Sequence, residues 1–317
     1  MLKRTLLVFS FFVSILSTYA IGVTAEGKKQ IVFIVNPISH NIKGFDIQSI
    51  VEKNLDTRQF EYKIVYSQYV GHATQLAQDA LFNSFDIVAA IGGDGTVNEV
   101  GKALINTDLT LAIIPVGSGN GLARHLGIPV GLSQSIQALN HAHTVVIDTA
   151  KINDIPFLGV AGIGFDAQIA QQFAVFGKRG LLSYCQVALA EFSDYESQSY
   201  FIKIDGKEIT RKAFILTFAN SSQYGNNFII APNAQIDDGY LDLVIIDEVS
   251  VYSIPALLYQ LKSGRMEYSS YFETHRFKEI TISQPLVQAH MDGEPVHFYE
   301  QINISVVPHS LKIMVPR

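Results

Sequence analysis
The sequence predicts an α/β domain built on a mostly parallel sheet, followed by an antiparallel, β-rich, sandwich-like domain. Three observations carry this. Short apolar runs alternate with helix-period stretches up to about residue 144. Each of those runs ends in Gly, Asn-Pro or Ser, the punctuation of a strand running into a loop. From Val145 on, strand patterns follow one another with few helices between them. Alternating strands and helices imply a parallel sheet covered on both faces, with ligands at the carboxyl ends of the strands.

The elements follow in order. "QIVFIVNP" (Gln30 to Pro37) reads as a buried strand, and Phe45 to Leu55 as a helix. "EYKIVYSQ" is the next strand and "HATQLAQDALF" a helix with apolar positions at helical spacing. "FDIVAAIGGDGT" is a strand ending in glycines, and "VNEVGKALI" returns to helix. "LTLAIIPVGSGNGLARHLGIP" repeats strand, Gly-rich turn and short helix. Beyond residue 144, "TVVIDTAKI", "IPFLGVAGIGF", "SYFIKIDGKEI", "KAFILTFANS" and "GYLDLVIID" read as strands. Helices are expected at Gly180 to Glu191 and in "SIPALLYQLKSG", with further strands in "FKEITISQ" and "VQAHMDGEPV". The division is residues 27–144 and 145–317, with the C-terminal end free to pack back on the first domain.

Composition narrows the function. Of 317 residues 48% are apolar and 16% charged, so the chain can build real cores. A net charge of −6, a pI of about 5.8 and no basic stripe argue against nucleic acid as partner. The one cysteine, Cys185, excludes an intramolecular disulfide and a Cys-rich zinc site, and reads as a small buried side chain. Residues 1–26 stand apart: Lys3 and Arg4 precede an uncharged apolar stretch. This fits a secretory signal, an uncleaved anchor or a misassigned start.

Four loops carry chemistry. Gly92, Gly93, Asp94, Gly95 and Thr96 follow a strand and open a helix. Glycines let a ligand approach bare backbone, and N–H groups at a helix start bind anions. A structural turn is the alternative. Asp94 would repel a phosphate directly, so it acts through a metal, bonds to the loop backbone or handles a proton. The second loop, Pro115 to Asn120 with Gly117 and Ser118, follows a neighbouring strand and adds donors at the same edge. Together the two loops suit a polyphosphate. Asn36 and Pro37 close the first strand there. Ser67 follows the second, as a donor to phosphate or sugar or as a solvated loop residue. In the third, Asp237-Asp238-Gly239 is either a tight turn or part of a hard-cation site. In the fourth, Asp292 and Glu294 sit in an Asp-Gly turn. It is either a plain hairpin or a carboxylate that accepts a hydroxyl proton during in-line phosphoryl transfer.

"GGDGTVNEV", "IPVGSGNGLARHLGIP", "GIGFDA", "APNAQIDDGYLDLVII" and "MDGEP", in this order, resemble the diacylglycerol kinase catalytic family, over about Lys29 to Pro316. That family includes bacterial lipid kinases and the sphingosine and ceramide kinases. NAD kinases share the Gly-Gly-Asp-Gly-Thr motif but lack the second loop and the late Asp-Gly-Glu, and rank well below. The resemblance implies a Rossmann-like ATP-binding domain and an ATP- and magnesium-dependent lipid kinase. Asn36, Pro37 and the residues to His40 would form the first nucleotide loop, with Ser67 and Ser118 as nucleotide-contacting hydroxyls. Gly93 to Glu99, including Asn98, would wrap the phosphates, with Gly92, Gly117 and Asn120 in the same loops. Asp238, with main-chain oxygens of Gln235 and Tyr240, would hold a structural magnesium. Glu294 is the matched proton acceptor, with Asp292 and Asp94 as the other candidates.

Two departures stand out. His40 replaces the usual glycine of the first loop, and the second loop reads Gly-Ser-Gly-Asn-Gly, closer to the sphingosine and ceramide kinase form. The second favours a sphingoid or ceramide-like acceptor. A greasy groove for its tail is expected at Tyr224 to Pro232 and around Phe173 and Phe176, stretches that ordinary core packing also explains. The expected partner is a lipid at a membrane surface, with a homodimer left open. Because ATP is cytosolic, a cytoplasmic, membrane-associated enzyme is preferred. The bland alternative is a nucleotide- or lipid-binding protein that keeps the fold without the activity.

Overall fold
The computed structural model describes residues 27–39, 42–176, 181–284, 286–299 and 301–317. His40, residues 1–26 and the side chains of Phe176 and Cys185 lie outside them.

The first half alternates strand and helix: β1 (Lys29–Val35), α1 (Ile47–Asn54), β2 (Phe60–Tyr66), α2 (His72–Leu81), β3 (Ile87–Gly92), α3 (Asp94–Leu104), β4 (Thr110–Pro115), α4 (Gly121–His125) and α5 (Leu132–Leu139). β5 (His143–Ile152), β6 (Ile155–Phe157) and β7 (Val160–Gly164) follow, then α6 (Phe165–Phe176) and α7 (Leu181–Phe192). Next come β8 (Gln198–Ile204), β9 (Lys207–Ala213), β10 (Ile215–Ala219), β11 (Gln223–Gly225), β12 (Phe228–Ile229) and β13 (Leu241–Ile246). The chain closes with α8 (Ile254–Ser263), β14 (Phe272–Phe277), β15 (Glu279–Ser283), β16 (Val287–Met291), β17 (Glu294–Phe298) and β18 (Ile302–Val315).

Among the described residues the strands form two large sheets. The first is ten-stranded, in the order β2-β1-β3-β4-β18-β15-β8-β9, with β5 and β6 attached beside β18. Its β2, β1, β3 and β4 are mutually parallel. β3 and β4 are buried at every position, as strands covered on both faces must be. Val97, Val100 and Leu104 of α3 fill one face, and Ile47, Val51, Ile136 and Leu139 the other. Each such side chain, fully buried, contributes about 1.5–3 kcal/mol.

β18 joins the two halves. Its first part pairs antiparallel with β15, and its last part pairs parallel with β4, Lys312 against Thr110. An irregularity between Val307 and Leu311, with His309 at φ 49°, bends the strand between these tasks. The second sheet is antiparallel, β14-β13-β10-β7-β16-β17. It packs on the first through a sandwich core that includes Phe157, Tyr200, Phe218 and Phe277. Its other face is covered by an apolar cluster that draws on α6, α7 and α8.

Candidate active site
Three parallel strands end together. Asn36 N–H donates to Ile91 O (3.0 Å), Val116 N–H to Gly92 O (2.9 Å), and Gly92 pairs with Pro115. Asn36 Nδ2 donates to Thr96 Oγ1 at 3.0 Å, tying the end of β1 to the first turn of α3. The loops then meet backbone to backbone. A Cβ added at Gly117 would stand 2.5 Å from Gly93 Cα, and one at Gly93 would stand 3.2 Å from Gly117 Cα. Glycine is required at this contact because no side chain fits. Asn120, in the left-handed region at φ 55°, closes the second loop. Its Oδ1 accepts from Gly117 N–H (3.0 Å) and its Nδ2 donates to Gly117 O (2.8 Å).

Asp94 binds the two loops together. One oxygen accepts Asn120 N–H and the other Gly121 N–H, both at 2.8 Å. Burial pushes this carboxyl above the usual range, three backbone donors, those of Asn120, Gly121 and Asp94 itself, oppose that, and the Asp292 charge adds to the rise. Of the three roles open to Asp94, bonding to the loop backbone is the one its contacts fill. In the first turn of α3, the N–H groups of Gly95 and Thr96 have no backbone carbonyl to bond within their own helix, while that of Asp94 meets its own carboxylate.

The late hairpin arrives from the second sheet. β16 and β17 pair Met291 with Glu294 across a turn in which Asp292 (φ 52°) and Gly293 (φ 85°) are left-handed. The Asp292 carboxylate accepts three backbone N–H groups: Leu158 (2.9 Å), Gly159 (2.7 Å) and Val160 (3.2 Å). A carboxylate so occupied braces the turn against the start of β7. Glu294 is exposed on the far side of that turn, and a Cβ added at Gly95 would come within 3.7 Å of its Oε1. One carboxylate therefore stands over the first turn of α3. Ser118 is exposed beside the loop, and Ser67, half-buried, follows β2 with its N–H on Val35 O at 2.9 Å.

Of the residues expected to wrap the phosphates, Glu99 is engaged elsewhere. Glu99 accepts Gly71 N–H (3.0 Å) and Ala73 N–H (3.1 Å), so it caps α2. Asn98 is buried in α3. Of the expected magnesium ligands, Asp238 has other partners. Asp238 Oδ1 accepts Tyr240 N–H at 3.0 Å, and Oδ2 pairs with Arg276. The Arg276 guanidinium lies 4.4 Å from the Tyr240 ring centroid, with Lys278 Nζ at 4.9 Å. The Asp238 carboxylate is thus engaged by a guanidinium, which a divalent ion held with the two carbonyls would have to displace. No group of three His, Cys, Asp or Glu among the described residues could hold a metal.

Several positioning residues escaped the sequence reading. Asp148 is fully buried on β5 and accepts Gly239 N–H (2.6 Å) and His309 N–H (2.7 Å), fixing the Asp237–Gly239 turn to the bend in β18. Its one signal is a polar residue amid the apolar "TVVIDTAKI". Asn220 Nδ2 donates to Asp148 O (2.9 Å) and Leu158 O (2.7 Å). His125 Nδ1 accepts Ser222 N–H at 3.1 Å, and burial lowers the imidazole pKa while Asp237 opposes the shift. Arg124 Nε donates to Gly119 O (3.1 Å) and an NH group to Asn227 Oδ1 (3.1 Å). These contacts dock the β11–β12 hairpin on the second glycine loop, where Asn226 N–H reaches Gly119 O at 2.9 Å.

The chain matches two family models, a diacylglycerol kinase catalytic domain over residues 30–152 and a YegS C-terminal NAD kinase beta sandwich-like domain over residues 159–315. A Yersinia enterocolitica protein named "Probable lipid kinase YegS-like" is 28% identical, over 86% of this chain and 92% of its own length. A Mycobacterium tuberculosis protein named "Diacylglycerol kinase" is 29% identical, over 77% and 82%. A Synechocystis protein is 30% identical over 72% of this chain, which spans only 54% of that relative's length. Among solved structures, a diacylglycerol kinase from Bacillus anthracis superposes with a TM-score of 0.71 at 22% identity, covering 90% of this chain and 97% of the other. A yeast NADH kinase superposes at 0.53 and 11% identity, over 92% and 85%, a likeness of fold alone.

Proposed function
The chain belongs to the diacylglycerol kinase catalytic-domain family, and from that premise we propose that it is an ATP-dependent lipid kinase. It moves the γ-phosphate of ATP to a lipid hydroxyl. The observation that carries this reading is the convergence of two glycine-rich loops from the parallel sheet with one exposed carboxylate, Glu294, from the sandwich. Phosphoryl transfer asks little covalent chemistry of the protein; it asks for placed phosphates, charge compensation and a proton acceptor.

The roles divide accordingly. N–H groups of the first turn of α3 and of the second glycine loop hold the phosphates, and Asn36 and Thr96 fix the loop that presents them. Ser67 and Ser118 supply hydroxyls to the nucleotide. Asp94 keeps the two loops in register. Glu294 takes the proton from the acceptor hydroxyl as its oxygen bonds to the γ-phosphorus and ADP leaves. Asp292 positions Glu294. Magnesium, carried on ATP, supplies charge shielding to the phosphates. The acceptor lies between the loops and the sandwich, with its tail toward the half-buried Phe173 and the hairpin from Tyr224 on. Because ATP is cytosolic, this places the enzyme at the cytoplasmic side of a membrane. Among the described residues no helix is long and apolar enough to cross one.

The test is label transfer. The full chain is incubated with γ-labelled ATP, magnesium and separate pools of diacylglycerol, sphingosine, ceramide and NAD. The reading expects label in one lipid pool, lost in Glu294→Gln. Label only in NADP, or in no pool despite ATP binding, contradicts it.

A further inference from the structure
α8 is apolar on both sides. Leu257 and Leu261 pack against the cluster that covers the second sheet, and none of the helix's residues is fully buried. Outside, the helix and the 3-10 turn before it carry Tyr252, 91% exposed, Tyr259 at 63%, Val251 at 55% and Leu258 at 42%. With Pro255 they follow roughly helical spacing, so they lie along one stripe that ends at Lys262. A surface helix of a soluble domain ordinarily puts charge on this face. A continuous apolar and aromatic stripe there marks an interaction surface.

Charge and connectivity say what covers it. From Val249 to Met266 the chain has no acidic residue but includes Lys262 and Arg265, although its net charge is −6. Three exposed acids flank this segment: Asp247 and Glu248 before it, Glu248 paired with Lys212 at 2.7 Å, and Glu267 after it. The helix is also linked to the proposed active site. Lys262 Nζ lies 5.1 Å from the Phe228 ring centroid and donates to Asn226 O. A Cβ at Gly264 would meet Ile229 Cδ1 at 3.2 Å. The same hairpin, through Asn226, bonds to Gly119 of the second glycine loop.

We propose that the outer face of α8, with the turn before it, docks on an anionic bilayer surface. Tyr252 and Tyr259 insert at the headgroup level, where rings with one polar end are favoured, Arg265 faces the anionic lipids, and Lys262 ties the helix to the hairpin. The hairpin between α8 and the glycine loop then holds the cleft against the membrane. The purpose of this surface rests on the lipid-kinase reading above; the surface itself is tested without ATP.

The chain has no tryptophan, so Tyr259→Trp creates a single local reporter. Phe82→Trp, 90% exposed at the end of α2, is the control. Each full-length variant is mixed with vesicles of phosphatidylcholine alone or with phosphatidylglycerol. The expected result is a blue shift for Tyr259→Trp on the anionic vesicles, with quenching by headgroup-level spin labels, and no change for Phe82→Trp. Tyr252→Ser with Leu258→Ser should lower partitioning about tenfold or more with Tm unmoved, since both side chains are exposed. Vesicle binding with unchanged Tyr259→Trp emission, as the N-terminal apolar segment alone would produce, overturns the proposal. So does a concentration-dependent blue shift without vesicles, which assigns the face to a second copy of the chain. Partitioning without any lipid phosphorylation keeps the docking surface and removes the kinase reading; phosphorylation of micellar lipid without partitioning does the reverse.

Discussion
The glycine loops and the late hairpin build one site by opposite means. The loops meet where there are no side chains: Gly93 and Gly117 touch through their backbones, and a single methyl group at Gly117 would collide. The hairpin works through side chains. Asp292 spends its carboxylate on three backbone donors so that Glu294, two residues on, stands exposed over α3. The anion-binding half is thus sensitive to added atoms and the proton-handling half to removed ones. Asp94 follows the first pattern, despite being a carboxylate, because both its oxygens serve the loops.

The largest expected effect falls on the exposed carboxylate. Glu294→Gln lowers kcat about 10²–10⁴-fold, the range for losing a general base, while ATP affinity holds. Asp292→Ala strands the N–H groups of Leu158, Gly159 and Val160. It costs about 1–3 kcal/mol or more of stability in a denaturant titration and also lowers kcat, because the turn loses its brace. Gly117→Ala costs about 1–3 kcal/mol from overpacking and weakens ATP binding, read by calorimetry. Gly95→Ala is the contrast within the same loops. The nearest atom to its added Cβ is Glu294 Oε1 at 3.7 Å, an ordinary contact, so Tm is unchanged and any loss appears in turnover.

The smallest effect is a pH dependence at the junction of the loops and the sandwich. His125 has a pKa below its usual 6.5 because it is buried, and its Nδ1 accepts Ser222 N–H only while unprotonated. Its contribution is complete above about pH 6.5 and is lost as pH falls through the lowered folded value. Thermal melts between about pH 7.5 and 5 should show wild type losing up to about 1.4 kcal/mol per pH unit more than His125→Gln over that window. Parallel curves would remove His125 from the account.

Much of the fold was legible because it is written locally. β1, β3 and β4 are short apolar runs that end at Asn-Pro or glycine, and a strand buried on both faces has no other pattern. β14, "FETHRF", and β18 were not read, since their pairing is set by distant strands and β18 serves two neighbours at once. The site was legible where a motif must bare its backbone. It was not legible where a partner lies far along the chain. Glu99 and Gly71 are 28 residues apart, and Asp148 and His309 are 161 apart. Asp238 belongs with these. An aspartate in an Asp-Asp-Gly turn reads alike whether a metal or Arg276 faces it.

The most direct measurement is single-turnover phosphate transfer by wild type and Glu294→Gln on the accepted lipid, across pH, with ATP affinity and Tm measured on the same preparations. The account predicts that the variant binds ATP and melts as wild type does but transfers phosphate at least about a hundredfold more slowly. Equal transfer rates would contradict it and return the base to another residue.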